Sequence, residues 1–102
     1  MKQYDVFANP FRRRMSDAPF LIVLQHDRNG DSDRVIVAPL STSAQPSRRN
    51  VPLTVSGDTL VLTPLDLAPV ERRLLTGPPI ANLAHESFAI QTALDIVFSA
   101  AG

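Results

Sequence analysis

The chain has 102 residues, ten Lys and Arg against ten Asp and Glu for a formal net charge of zero, 44% hydrophobic residues and no cysteine. That length suits one domain over residues 1–102, and the composition is that of a soluble globular protein rather than a disordered segment or a repeat. Without Cys there are no disulfides, thiolate nucleophiles or common structural zinc sites, and a neutral domain has no general attraction for nucleic acid, so no direct sequence-specific binding to it is expected.

The N-terminal residues Met-Lys-Gln-Tyr-Asp-Val-Phe lack an apolar signal region and lead into Arg12, Arg13 and Arg14, which places the protein in the cytoplasm. Residues 4–7 alternate around Asp5 and stop at Asn9-Pro10, as a short opening strand does. Residues 12–19 are polar and end on proline, so they read as a loop. Residues 20–24, Phe-Leu-Ile-Val-Leu, form an aromatic and β-branched run that predicts a central strand buried on both faces. A polar stretch containing Asn29-Gly30 then marks a hairpin tip, and residues 34–39 supply the returning strand, with Pro39 expected to stop the ladder or to sit at its edge.

Residues 41–50, rich in Ser, Gln and Pro, read as a loop. Residues 51–55 and 59–63 predict a second hairpin, with Gly57-Asp58 as its two-residue turn. Residues 65–70 look irregular between prolines, and residues 72–76 suit a last short strand before Gly77-Pro78-Pro79, a break that also denies residues 74–85 a membrane-spanning helix. Beyond it the period changes: Ile90, Ala93, Leu94 and Val97 recur at i, i+3, i+4 and i+7, an amphipathic helix beginning near Asn82 or Ala84. Strands followed by one helix predict an α+β domain, a bent antiparallel sheet of five or more strands with one C-terminal helix at its end. A domain of this size buries roughly two-thirds of its extended surface, so dimerisation would help it.

Nine of the ten basic residues are Arg, bunched at Arg12, Arg13 and Arg14, at Arg48 and Arg49, and at Arg72 and Arg73, while residues 74–102 carry only Glu86 and Asp95. These clusters are either solvated turn residues or guanidinium forks for an acidic partner segment. No catalytic, metal or cofactor site is expected. Asp27, Asn29, Asp31 and Asp33 alternate as calcium ligands do, but Gly30 takes the fourth place rather than the sixth and no glutamate closes the loop. His85 beside Glu86 suits a packed or capping residue, and the serines lie in no nucleophile motif. What remains is binding. Phe98, followed by Ser99, Ala100, Ala101 and Gly102, is either the last core residue before a fraying tail or part of a probe into a partner.

The ordered set Tyr4-Asp-Val-Phe, residues 20–24, Arg34-Val-Ile-Val-Ala-Pro-Leu, Val51-Pro52, Gly57-Asp58, Asp66-Leu-Ala and Asn82-Leu-Ala-His85 with Ala93 and Phe98 resembles the CcdB toxins of type II toxin–antitoxin modules. The resemblance implies the barrel-like fold shared with MazF-type toxins and a homodimer. It also implies a non-enzymatic toxin that binds the A subunit of DNA gyrase, a topoisomerase, and traps its cleaved-DNA complex. In such modules, carried on plasmids, where they serve maintenance, or on chromosomes, a CcdA-like antitoxin neutralises the toxin through a disordered acidic segment, and the pair represses its own operon. On this reading Phe98, Ser99, Ala100, Ala101 and Gly102 face the target, and Arg12, Arg13, Arg14, Arg48 and Arg49 face the antitoxin. Arg48 falls where the family also carries arginine. The family's gyrase poisons end in Phe-Trp-Gly-Ile, of which only Phe98 is present. Arg28 and Asn29 replace a pair of isoleucines, and Asp95 replaces an asparagine. Two alternatives follow: a kept scaffold with a changed target or lost toxicity, serving mainly as an antitoxin-binding or regulatory partner, and a MazF-like endoribonuclease on the same fold.

Overall fold

The computed structural model describes residues 1–25 and 33–101, with the backbone alone for Ala100 and Ala101. Among these residues seven strands form one antiparallel sheet: β1 (Asp5–Ala8), β2 (Phe20–Val23), β3 (Arg34–Ser41), β4 (Val51–Val55), β5 (Asp58–Leu62), β6 (Ala68–Glu71) and β7 (Ala81–Asn82). One helix, α1 (Ser87–Ala101), follows a 3-10 turn at Ala84–Glu86. The strands run in the order β4-β5-β3-β2-β1-β7, with β6 added to β3. The expected bent sheet and C-terminal helix are therefore present. The hairpin tip and all of the calcium-like pattern except Asp33 lie outside the described residues.

β3 organises the sheet because it has more neighbours than an ordinary strand. One flank pairs with β2 from Val37 against Val23 to Leu40 against Phe20. The other pairs first with β6, Arg34 to Val37 against Glu71 to Ala68, and then with β5 through Leu40 and Ser41. Two partners diverging from one flank bend the sheet into a half-barrel.

Pro39 lies inside this strand and does not stop it. Leu24 N–H donates to the Ile36 carbonyl at 2.9 Å, so alternation points the Pro39 backbone at the opposite flank, where its carbonyl accepts from Thr63 N–H at 3.3 Å. That is where the partner changes from β6 to β5, and the missing proline N–H costs no ladder bond there.

β2 is buried on both faces, as its unbroken apolar run predicts. Ile22 and Leu24 join Val6, Ala38, Leu40, Leu53, Leu62 and Ile90 on one side, whereas Leu21 and Val23 join Phe7, Val35, Val37, Val70 and Leu75 on the other. Burying each such side chain contributes roughly 1.5–3 kcal/mol. The helix meets the first cluster through Ile90, with Leu94 packed against it, and Ile90, Ala93 and Val97 are buried at 0%, 1% and 5% exposure, so the apolar stripe read from the sequence is the inward side of the helix.

Four local expectations are corrected. The second hairpin turns at Ser56-Gly57 rather than Gly57-Asp58: Val55 pairs with Asp58, and the two turn residues have φ of 50° and 88°, the left-handed pair whose twist matches the flanking strands. Residues 68–71 are a strand, with Pro69 tolerated because β6 is an edge that pairs only with β3. Residues 72–76 are no strand, since Arg72–Leu74 make a 3-10 turn that tucks Leu75 into the second cluster. Residues 81–82 form β7 against β1, a two-residue pairing too short to leave a periodic trace.

The chain ends are tied to the sheet by polar contacts. Asp5, 5% exposed, accepts from Lys2 N–H at 2.7 Å and from the Asn82 side-chain amide at 2.9 Å. Tyr4 has a φ of 71°, and its buried hydroxyl accepts from Gln91 Nε2 at 3.0 Å, which joins α1 to the first strand. No helix among the described residues is long and apolar enough to cross a membrane.

Candidate interaction surface

The outward face of α1 is set by the same period that sets its core. Opposite Ile90, Ala93 and Val97 run Phe88, Thr92, Asp95 and Ser99 at intervals of four, three and four residues, all exposed. Phe88 is 85% exposed and Phe98 56% exposed. Phe98 is therefore no core residue. It sits on the flank of α1 that carries Gln91, a hundred degrees or so of helical rotation from Phe88 and Ser99.

On the other flank a groove of about 470 Å³ separates α1 from the loop before β4, lined by Arg48, Arg49, Thr92, Asp95, Ile96 and Ser99. The arginines are presented by a turn that the sequence itself builds. The Ser47 hydroxyl accepts from the N–H groups of Arg49 and Asn50 at 3.1 and 3.2 Å, while Ser47 N–H donates to the Asn50 carbonyl at 3.0 Å. Asn50 Nδ2 adds a bond to the Gln45 carbonyl at 3.3 Å. Side-chain bonds of this kind hold a polar loop without a strand. Both guanidinium groups are exposed and form no ion pair among the described residues, Asp95 across the groove included. Two cations, one carboxylate and the aliphatic Ile96 leave the groove with an excess of positive charge over an apolar floor.

The residues expected to act together divide between surfaces. Arg48, Arg49 and Ser99 share the groove. Phe98 lies on the neighbouring flank. Arg12, Arg13 and Arg14 stand exposed on the loop between β1 and β2, a turn closed by Arg14 and Met15 N–H on the Phe11 carbonyl at 2.9 and 3.0 Å, and do not line the groove. Ala100 and Ala101 extend α1, and Gly102 lies outside the described residues. Thr92 falls off the core stripe in the sequence as well, whereas nothing there singles out Ile96, although its spacing with Thr92 and Ser99 marks the face of the helix that the stripe leaves free. His85 is exposed on the 3-10 turn and neither packs in the core nor caps the helix, since Ala84 N–H bonds to Asn82 Oδ1 instead.

A second, smaller cavity of about 120 Å³ opens at the other end of the 41–50 loop. Asp17, Ser41, Thr63 and Asp66 line it together with Met15 and Pro39. Its described lining carries two carboxylates and no cation.

Comparison with known proteins bears on the whole chain. No curated protein matches it. Among solved structures, that of MazE–MazF from Deinococcus radiodurans is similar at 16% identity, over 96% of this chain and 94% of that chain, with a TM-score of 0.71, and this likeness shows a shared fold. The family model described as CcdB protein matches residues 3–100. Since that match runs through all seven strands and almost to the end of α1, the chain belongs to the CcdB family of toxins from toxin–antitoxin modules.

Proposed function

We propose that this toxin acts by docking rather than by catalysis, and that its target is the A subunit of DNA gyrase, engaged by the C-terminal end of α1. The supporting observation is the 56% exposure of Phe98, an aromatic side chain on the flank of a helix whose core face, through Ile90, Ala93 and Val97, is buried. A rigid exposed aromatic is an interface anchor of the usual kind. The family's tryptophan is replaced by Ser99, a loss that typically costs about 2–4 kcal/mol of interface energy, so gyrase is bound more weakly or through contacts shifted to Phe98. As in the family, the working unit is a homodimer, and the cleaved-DNA complex is what it traps.

The Arg48–Arg49 groove is the seat proposed for an acidic segment of a CcdA-like antitoxin. Unpaired guanidinium forks above Ile96 suit carboxylates flanking an aliphatic side chain. The toxin–antitoxin complex would then repress its own operon. One observation favours a second reading: with serine at the anchor position, the scaffold serves a changed target or mainly its antitoxin.

Purified protein, gyrase from the same bacterium and supercoiled plasmid test the proposal. Linear DNA after detergent and protease treatment is expected, and it should disappear with Phe98→Ala. No linear product while an authentic CcdB poison works in parallel would discard gyrase in favour of the second reading. Cleavage of RNA by the purified protein would instead establish an enzyme.

A further inference from the structure

The groove between α1 and the loop before β4 has two chemically different walls. On the loop side Arg48 and Arg49 present guanidinium groups, which donate hydrogen bonds and accept none. On the helix side Thr92 and Asp95, three residues apart, share one face. The Thr92 hydroxyl spends its proton on the Phe88 carbonyl at 2.8 Å, so towards the groove it can only accept, as the Asp95 carboxylate does. Donors thus face acceptors across a floor that contains the half-buried Ile96.

The two walls do not satisfy each other. Arg48, Arg49 and Asp95 are exposed, and among the described residues neither guanidinium comes within ion-pairing distance of the carboxylate, although all three line one groove of about 470 Å³. The backbone behind each wall is held, in α1 by the buried side chains of Ile90, Ala93 and Val97 and in the arginine turn by the Ser47 hydroxyl. A partner therefore meets separated charges on fixed supports and loses less to ordering. A purely acidic segment fits only half of such a groove, because Asp95 repels the carboxylates that approach the arginines.

We propose that the groove takes an antitoxin segment of mixed charge, with acidic side chains against Arg48 and Arg49 and one lysine or arginine against Asp95 and Thr92. The inference rests on the reading of this groove as the antitoxin's seat. To that reading it adds the feature by which the groove chooses among acidic segments, since Asp95 rewards a basic residue and penalises its absence. From Thr92 to Ser99 the helix runs about 10 Å, the length of roughly three extended residues, so the basic residue stands within about four positions of the acidic ones.

The test uses the whole protein, isotope-labelled and titrated by NMR with acetylated, amidated octapeptides of alternating Glu and Ala. In one series Lys replaces each Ala in turn, and in a second series Gln does so. Saturable shifts of the Arg49, Thr92, Ile96 and Ser99 amides are expected. At least one Lys peptide should bind about two- to fivefold tighter than its Gln counterpart, the range of an exposed ion pair. Asp95→Asn, at an exposed residue without an ion pair, should unfold like wild type, lose that preference and bind the all-acidic parent more tightly. Equal affinity of Lys and Gln peptides in every register, or a Lys preference that survives Asp95→Asn, would overturn the proposal. If the parent peptide still shifts the groove amides and Arg48→Ala with Arg49→Ala abolishes those shifts, the antitoxin seat stands without this selectivity. No shifts with any peptide would remove both.

Discussion

The two faces of α1 are built from one stretch of sequence and do opposite work. Ile90, Ala93 and Val97 are buried, Ile90 within the larger core cluster, while Phe88, Thr92, Asp95 and Ser99 remain in solvent with Arg48 and Arg49 alongside. Stability is concentrated on the first face. The second contributes little to folding, which leaves its residues free to change without disturbing the packing beneath them. A helix held so firmly from one side can carry an altered surface on the other.

Substitutions on either face separate the two roles. The largest effect is expected from Ile90→Ala, which removes a fully buried side chain against Leu62 and its neighbours and should destabilise the protein by about 2–5 kcal/mol in denaturant unfolding. Phe98→Ala should leave unfolding within about 0.5 kcal/mol of wild type and yet remove about 2 kcal/mol or more of gyrase binding. If Phe98→Ala destabilises as Ile90→Ala does, the division between the faces is wrong.

Ser99→Trp sharpens the comparison in the other direction. Restoring an aromatic on the free face should tighten gyrase binding by about 2 kcal/mol, near thirtyfold by calorimetry, with no matching gain in stability. No change would count against a gyrase docking mode inherited from the family.

A smaller effect is expected at the groove. Replacing Arg48 and Arg49 by Ala should weaken binding of an acidic antitoxin segment by about 1–2 kcal/mol and flatten its dependence on salt, since exposed charges are screened within about 10 Å at 0.1 M. The same change at Arg12, Arg13 and Arg14, which lie off the groove, should cost less than about 0.5 kcal/mol. An equal loss from both clusters would mean that the segment wraps both loops.

Much of this was legible in the sequence, for identifiable reasons. The run Phe20-Leu-Ile-Val-Leu announces a strand covered on both sides because no polar residue interrupts it, and the spacing of Ile90, Ala93, Leu94 and Val97 announces which side of the helix is buried. The strand at Ala68–Glu71 was hidden because Pro69 reads as a breaker until β3 is seen to offer an edge that asks nothing of its N–H. Gly57 signals a turn but not its register. That was settled by Ser56 accepting a φ of 50°, a conformation non-glycine residues seldom take.

The same distinction holds for the surfaces. Residue order alone determined the fold class and the two inventories of charge, because periodicity and turn chemistry act over a few neighbours. Which charges share a surface was decided only by the tertiary structure: Arg48 lines one groove with Asp95, 47 positions on, and Asp17 lines one cavity with Asp66, 49 positions on, the two cavities being of opposite sign. A net charge of zero hides this arrangement, since composition sums charges that the curled sheet holds apart.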